Sequence, residues 1–562
     1  MVASWGVAVL LPLASLYVAL RTGWAPGAVL VAAALLAGSG RSGSGAVRDG
    51  RVTEAVVLGT SLAAGAASVV GVLTSALAAH AMVTGHHPPV GWTAVYLAGA
   101  GLLGIALAAR TRRRVLVEDA LPFPTGTAAA VTVEALVSGR GRTERWRAFR
   151  AGLVAGAAVA VAGPGVRAMS AWVGAPRLAD LALPHALPWV GSLLAGAGGT
   201  WAAFLLEASL IPVAVGGLVG PRVALGILAG ALLGPGLAGG WALDRGIVAS
   251  AAFPDVLRWT LWPGTAALVA ASLAGFVGLF RLRFRRWGRA RGRWPGRATV
   301  VTLGGAAAAM GAQVAGFDVS PQLAVVAVGL SVVLVPVAVR VTGETDVTPT
   351  GPLGKVAQLV AGVVAPGAAG PGLAAAGVAA GAATSAGELM NDLRLGLNLG
   401  VDVSRQTARQ ALGVLVGVAV TLPAYRILVP DPGAFGTAAA PVPAAQVWKA
   451  VARLLAEGLH VLPPGAFPAS VVAAVVAAAA AYVARRLPSR WARAIPSFVG
   501  VGLGFVLPPM TSMGFAAGGL AVLALRRWRP RPGVDLVPAV AGGILVGEGV
   551  LAVLFAFVGH AA

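Results

Sequence analysis

The residues with most chemistry to offer are carboxylates placed where a charge is expensive. Glu54, Glu134, Glu207, Glu388, Asp392, Glu457 and Glu548 lie in, or at the edge of, long apolar runs. A charged side chain at the centre of a bilayer costs about 2.5–3.5 kcal/mol on insertion scales, so such residues face a cavity or a partner and are functional candidates. Low dielectric disfavours the ionised form, which lets an embedded carboxylate take up and release a proton near neutral pH. That is the chemistry a proton-driven carrier needs, and it makes Glu548, Glu388, Glu134 and Glu207 the proton-coupling candidates. Glu548, in a glycine-rich stretch from Gly542 to Gly549, is the deepest within its run. Glu388 and Asp392 are four apart and share one face of a helix, with Arg394 close enough in sequence to neutralise one of them. The competing reading of each carboxylate is a partner of Arg or a cap on a broken helix.

Helix-breaking residues mark a second set of candidates. Segment 115–138 contains Pro122, Pro124 and Gly126, and segment 494–525 contains Pro508 and Pro509. Both are apolar and both have basic clusters at either end, so each enters and leaves by the same face, and Pro and Gly interrupt the helix within it. Lipid forbids irregular backbone unless protein surrounds it. Leu121-Pro-Phe-Pro-Thr125 and Leu507-Pro-Pro-Met-Thr511 echo each other as a possible internal repeat, and broken segments at matching places in two halves point to a transporter's substrate site. The substrate-binding candidates are therefore Pro122, Pro124, Thr125, Gly126 and Thr127, with Pro508, Pro509, Thr511 and Ser512. His86 and His87 sit in a short turn with no third ligand nearby and read as a solvated loop, not a metal site. No H-E-x-x-H, G-x-S-x-G or nucleotide-binding glycine loop is present, so protease, hydrolase and ATP-driven readings gain no support. No cofactor and no metal site is expected.

The elements that must carry these residues follow from composition. Of 562 residues 57% are hydrophobic and 11% charged, and the mean hydropathy is +0.84. Soluble domains carry about 25% charged residues. No single core buries this much apolar surface, and the surplus must face lipid. This excludes a soluble enzyme, a disordered chain and a fibre. Apolar runs recur from end to end, and their lengths predict an all-α polytopic integral membrane protein of about 14–16 transmembrane segments, some broken or re-entrant. No hydrophilic stretch is long enough for a second soluble domain. The N-terminus is apolar without a basic leader and reads as a first span, not a cleaved signal.

The net charge is +22. Its arginines cluster between apolar runs, at Arg41–Arg51, Arg110–Arg114, Arg140–Arg150, Arg281–Arg297, Arg485–Arg493 and Arg526–Arg529. The positive-inside rule puts these loops, and with them the N-terminus, in the cytoplasm, and the charge reflects the bilayer and not nucleic acid. The plasma (inner) membrane of a bacterium is the expected location. There is no cysteine, hence no disulfide framework and no thiolate site.

A family likeness spans nearly the whole chain. The stretch Arg340-Val-Thr-Gly343-Glu344-Thr345-Asp346, with Pro349, Lys355 and Gln358 following, resembles the A-T-G-E-T-D-x-x-P and G-K-x-x-Q-L hallmarks of the oligopeptide transporter (OPT) family. Asp392-Leu-Arg394 with Gly396 and Gly400 is similar to its D-L-K-T-G-x-x-x-G element. Leu121 to Ala128 resembles Y-P-[ST]-G-T-A, Gly542 to Glu548 resembles G-L-I-x-G-E, and Tyr17 to Trp24 resembles Y-x-G-L-K-T-G-W. A further segment runs from Pro496 to Ser512. Arg394 and Arg21 stand where the family has Lys, which keeps charge but alters donor geometry. Phe123 stands where it has Tyr, which removes a hydroxyl able to bond substrate.

The resemblance implies one OPT-type transporter domain over 1–562 and a secondary carrier importing short peptides with protons. The alternative is import of metal–chelate complexes, as in the yellow-stripe-like branch. It adds Asp392 and Arg394 to the substrate-binding candidates and marks Gly343, Glu344, Thr345, Asp346, Lys355 and Gln358 as family-motif residues. An intramembrane enzyme acting on lipid-linked substrates is the reading from another class. A channel would need a repeated polar filter, for which the Leu-Pro echo is too short.

Overall fold

The computed structural model describes every residue except 1, 24–27, 40–49, 122, 138–141, 185, 188–198, 284–295, 346–347, 438–439, 459, 461, 488–495, 529–535 and 562. Among the described residues the chain is almost wholly helical, the exception being a short antiparallel pairing of Ala186–Leu187 with Leu206–Glu207. Among the described residues, ten helices are long and apolar enough to cross a membrane, and four shorter apolar helices accompany them. Together, 10 + 4 helices reach the lower end of the expected range. Run 443–483 yields one spanning helix among the described residues, Ala466–Ala484, because Pro443–Glu457 is amphipathic instead of apolar all round.

The chain forms two compact units. The first comprises Met1–Ala19, Ala25–Ala148 and Arg285–Pro432. Its centre is the helix Ala369–Leu399, whose residues 373–383 are all buried. A helix apolar on every side must be enclosed. Here the enclosing helices are Gly50–Ser68, Val90–Arg113, Pro124–Val137, Pro321–Thr345 and Thr350–Val364. Much of the chain's glycine content sits at such crossings. Gly104 lies on the Ala382 backbone, Gly65 on that of Gln410, and Gly413 and Gly417 on those of Leu62 and Ala66. Small residues let helix backbones approach, which is how packing substitutes for a hydrophobic drive inside a membrane.

The second unit comprises Leu20–Trp24, Phe149–Phe284 and Gly433–Ala562. Ile211–Val219 packs on Pro509–Trp528, Pro221–Ala231 on Phe498–Gly504, and Phe253–Arg283 on Ala466–Arg486. Gly543 and Gly547 of helix Val537–Ala561 meet the Phe149 and Leu153 carbonyls.

Both expected breaks are present, one in each unit. In the first unit, helix Val90–Arg113 widens into a π turn, Arg114–Glu118, and the chain turns before restarting as Pro124–Val137. Ala120 and Phe123 hold positive φ values of 45° and 40°. Non-glycine residues there cost about 1–3 kcal/mol each unless their surroundings enforce them. The enforcing contacts are visible: Phe123 is fully buried, and its N–H donates to the Gly343 carbonyl at 3.1 Å. In the second unit, Phe498–Gly504 ends in a turn through Leu507, and Pro509 opens helix Pro509–Trp528. Proline suits a first helical turn because its missing N–H would be unpaired there in any case.

Candidate functional site

In the second unit two carboxylates converge near the break. Glu207, on its two-residue strand, accepts from the Arg21 guanidinium at 2.5 Å through Oε1 and from the Thr511 hydroxyl at 3.1 Å through Oε2. Thr511 lies in the first turn of the helix that Pro509 opens. The pair is largely enclosed, with side-chain exposures of 25% for Arg21 and 10% for Glu207. Glu548 is 5% exposed. Its Oε1 accepts from the Ser209 hydroxyl at 2.5 Å and its Oε2 from the Leu210 N–H at 2.9 Å. Leu210 immediately precedes helix Ile211–Val219, so this donor belongs to a helix start, where backbone N–H groups lack intrahelical partners. Glu207 and Arg21 both act electrostatically on Glu548. The site thus holds two carboxylates and one guanidinium. One carboxylate is in contact with the cation, and the other is held by neutral donors.

Ser512 behaves differently from Thr511. It is fully buried and donates to the Pro508 carbonyl at 3.2 Å, so it closes the break itself. Pro509 is buried and Pro508 half-buried beside it.

In the first unit three of the sequence motifs meet. Gly126 packs against the Asn391 carbonyl and the Arg394 Cβ, and Gly343 packs against Leu121 and Phe123. Asp119, at the turn, pairs with Arg340 at 2.9 Å and with Arg114 at 3.9 Å. Thr348 bonds Thr342 at 3.0 Å and lies against Gly387, and Thr350 bonds Thr384 at 3.1 Å. Lys355 and Gln358 are buried, at 3% and 2% exposure. Thr125 and Thr127 are half-buried. Pro122 and Asp346 lie outside the described residues, as do the side chains of Pro124, Glu344 and Thr345.

Several expectations change in detail. Phe123 is fully buried, and its Cζ packs on Gly343 inside the core. Arg394 does not neutralise Asp392, since among the described residues no ion pair joins them. Two residues along a helix is roughly 200° of rotation, which turns Arg394 toward Gly126. Asp392 is wholly buried and Glu388 half-buried one turn before it. Glu134 is exposed on helix Pro124–Val137 and joins neither group. Glu54 and Glu457 are ion-paired, with Arg405 and Arg453. His87 is no simple solvated residue: its Nε2–H donates to the Val429 carbonyl at 2.8 Å, and its ring meets Tyr425 edge-on. Ser209, Leu210, Ser61 and Gln406 were not candidates, because serine, glutamine and a main-chain N–H carry no signal until a distant carboxylate reaches them.

The comparisons with known proteins agree with this architecture. The model of the family described as OPT oligopeptide transporter protein matches residues 1–558. A probable metal-nicotianamine transporter of Oryza sativa subsp. japonica is 29% identical over 223 residues, 37% of this chain. That match spans about a third of the relative's length, 31%. The family match runs through both broken segments, the Gly343 motif and the Glu548 helix, and on it the chain, an integral membrane protein, is a member of the oligopeptide transporter family.

Proposed function

We propose that this transporter imports short peptides by coupling their movement to protons, with Glu548 as the group whose proton occupancy changes. The carrying observation is the unequal treatment of two neighbouring carboxylates. Glu207 has the Arg21 guanidinium in contact, whereas Glu548 is enclosed by Ser209 and a main-chain N–H and, among the described residues, has no cation in contact. A proton neutralises such a group at the least electrostatic expense. Thr511 and the first turn of helix Pro509–Trp528 offer a helix N-terminus to a substrate carboxylate, and Arg21 offers a guanidinium once Glu207 is relieved of it. One proton moving down 100 mV releases about 2.3 kcal/mol, enough for substantial accumulation with a few protons. No chemical conversion of substrate is required.

The peptide reading follows the family description, which covers nearly the whole chain. A second reading, import of a metal–chelate complex, is favoured by the similarity to the metal-nicotianamine transporter. In both cases the basic loops and the N-terminus face the cytoplasm, in the plasma membrane of a bacterium. The test is uptake into reconstituted vesicles with an imposed pH gradient, offering a pool of short peptides and a pool of metal chelates. Accumulation of the peptide pool that collapses with the gradient is expected. Glu548→Gln should lower gradient-driven uptake about tenfold or more, the effect of losing the one exchangeable proton site, while folded yield is retained. Accumulation indifferent to the gradient removes proton coupling, and accumulation of the chelate pool alone selects the second reading.

A further inference from the structure

In the second unit, one short run of chain joins the two carboxylates. Glu207 holds the Arg21 guanidinium and the Thr511 hydroxyl, and two and three residues later Ser209 and Leu210 hold Glu548. The next residue opens helix Ile211–Val219, and its N–H donates to the Ser209 hydroxyl oxygen at 3.3 Å. Ser209 thus accepts one hydrogen bond from a helix start and donates one to Glu548. The helix is in backbone contact with helix Pro509–Trp528: Gly216 lies on the Phe515 carbonyl, and Gly518 on that of Val213. That second helix carries Thr511. Close-packed backbones of this kind leave little room to slide, so the two helices shift together.

Donor chemistry dictates what a proton on Glu548 does to this run. An ionised carboxylate only accepts, and here it accepts twice. A main-chain N–H only donates, so a proton on Oε2 would meet Leu210 donor to donor. A hydroxyl donates or accepts as it rotates, so the proton comes to rest on Oε1 and points at the Ser209 oxygen. The Ser209 hydroxyl then reverses, accepting from Glu548 and turning its own proton away. A bond to a charged acceptor becomes a weaker neutral one, and the Leu210 N–H loses its charged partner. The start of helix Ile211–Val219 is thereby loosened from Glu548.

We propose that the run Glu207–Leu210 couples the proton site to the substrate site, with Ser209 as the positioning residue that reads the protonation of Glu548. The inference rests on the proton-coupled reading above and adds the path by which the proton is felt at Arg21, Glu207 and Thr511. Movement of the run displaces Glu207 directly. Movement of the helix it opens displaces Thr511 through the Gly216 and Gly518 contacts.

The experiment offers a radiolabelled pool of di- to hexapeptides to vesicles reconstituted with the full-length protein. Two quantities are measured: accumulation driven by an imposed pH gradient, and exchange of internal for external peptide at equal pH on both sides. Ser209→Ala removes donor and acceptor together. It should lower gradient-driven accumulation about tenfold, one hydrogen bond to a charged group being worth at least that factor, and leave exchange within about twofold of wild type. Ser209→Thr keeps a hydroxyl and should restore accumulation. Ser209→Cys, whose thiol is a weak donor and acceptor of similar volume, should fall between them and serves if Ser209→Ala does not fold. Accumulation in Ser209→Ala equal to wild type, equal losses of exchange and accumulation in the folded variant, or no recovery in Ser209→Thr would each overturn the inference while leaving gradient-driven uptake by the wild type in place. Wild-type uptake indifferent to the gradient would instead remove the proton-coupled reading, and this inference with it.

Discussion

Glu207 and Glu548 sit in the same unit, yet their partners assign them different work. Removing Arg21 would leave Glu207 as an uncompensated enclosed charge, which costs about 3–5 kcal/mol where a buried pair is broken from one side. Removing Ser209 would leave Glu548 with its main-chain donor and the choice of becoming neutral. Nearer the surface, Glu457 is paired four residues back with Arg453, at 3.7 Å and with both side chains nearly half exposed, an arrangement worth little. His87, outside the spanning helices, lends itself to a direct measurement. Burial, helped by the nearby Arg426 cation, holds its pKa below the ordinary 6.5, against the opposing pull of its Val429 bond and Asp431. The unfolded chain therefore binds a proton that the folded chain resists, and folding stability falls as pH drops below 6.5 and is level above it. His87→Gln keeps an N–H for the Val429 carbonyl and has no proton to gain. The difference in thermal midpoint between wild type and His87→Gln should change across the acidic side of 6.5 and be constant on the alkaline side. A difference independent of pH would refute the neutral-His assignment.

At the scale of elements, the two breaks were legible in the sequence because proline and glycine act through local backbone sterics. Pro124 and Pro509 each open a helix where the pattern placed an interruption. The depth of Glu548 was legible for a similar reason, since an acid inside an apolar run declares itself. The partners were not. Arg21 and Glu207 are 186 residues apart, Thr511 and Glu207 are 304 apart, and Ser209 and Glu548 are 339 apart. Each pairing is decided by how helices cross, and single-residue spacing holds no record of that. Glycines at those crossings test the account. A Cβ on Gly126 would strike the Asn391 carbonyl and come within 2.9 Å of the Arg394 Cβ, so helix Pro124–Val137 would have to move off helix Ala369–Leu399. Gly126→Ala should destabilise by about 1–3 kcal/mol through overpacking. Gly304, on helix Gly296–Gly316, meets nothing within 4 Å. Gly304→Ala should be neutral or gain up to about 1 kcal/mol from reduced backbone entropy. Thermal midpoints of the two purified variants decide the matter, and equal loss at both positions would mean the close approach at Gly126 is not limiting.

At the scale of the whole molecule, the asymmetry of charge makes a claim about orientation that the first unit's own contacts sharpen. At one end of its helices, His87 bonds the Val429 carbonyl, Arg426 bonds the Pro88 carbonyl, and His80 and Tyr96 stack on Phe317. These contacts bring turns 85–89 and 429–431 together with the turn after Gly316. At the other end, Arg405 pairs with Glu54, just after the first arginine cluster. Consecutive helices thus sort their connections consistently between two ends, and the arginine-rich end should be cytoplasmic because anionic lipid and the insertion machinery retain Lys and Arg there. The chain has no cysteine, so single cysteines introduce reporters without background. His86 and Ser404 are both exposed and lie at opposite ends. In intact cells a membrane-impermeant maleimide should label His86→Cys, and it should label Ser404→Cys only after permeabilisation. The reverse pattern would invert the orientation. Labelling of both positions in intact cells would show that turns 85–89 and 400–404 do not lie on opposite sides of the bilayer, and the assignment of Val90–Glu118 and Val403–Leu428 as full crossings would fail with it.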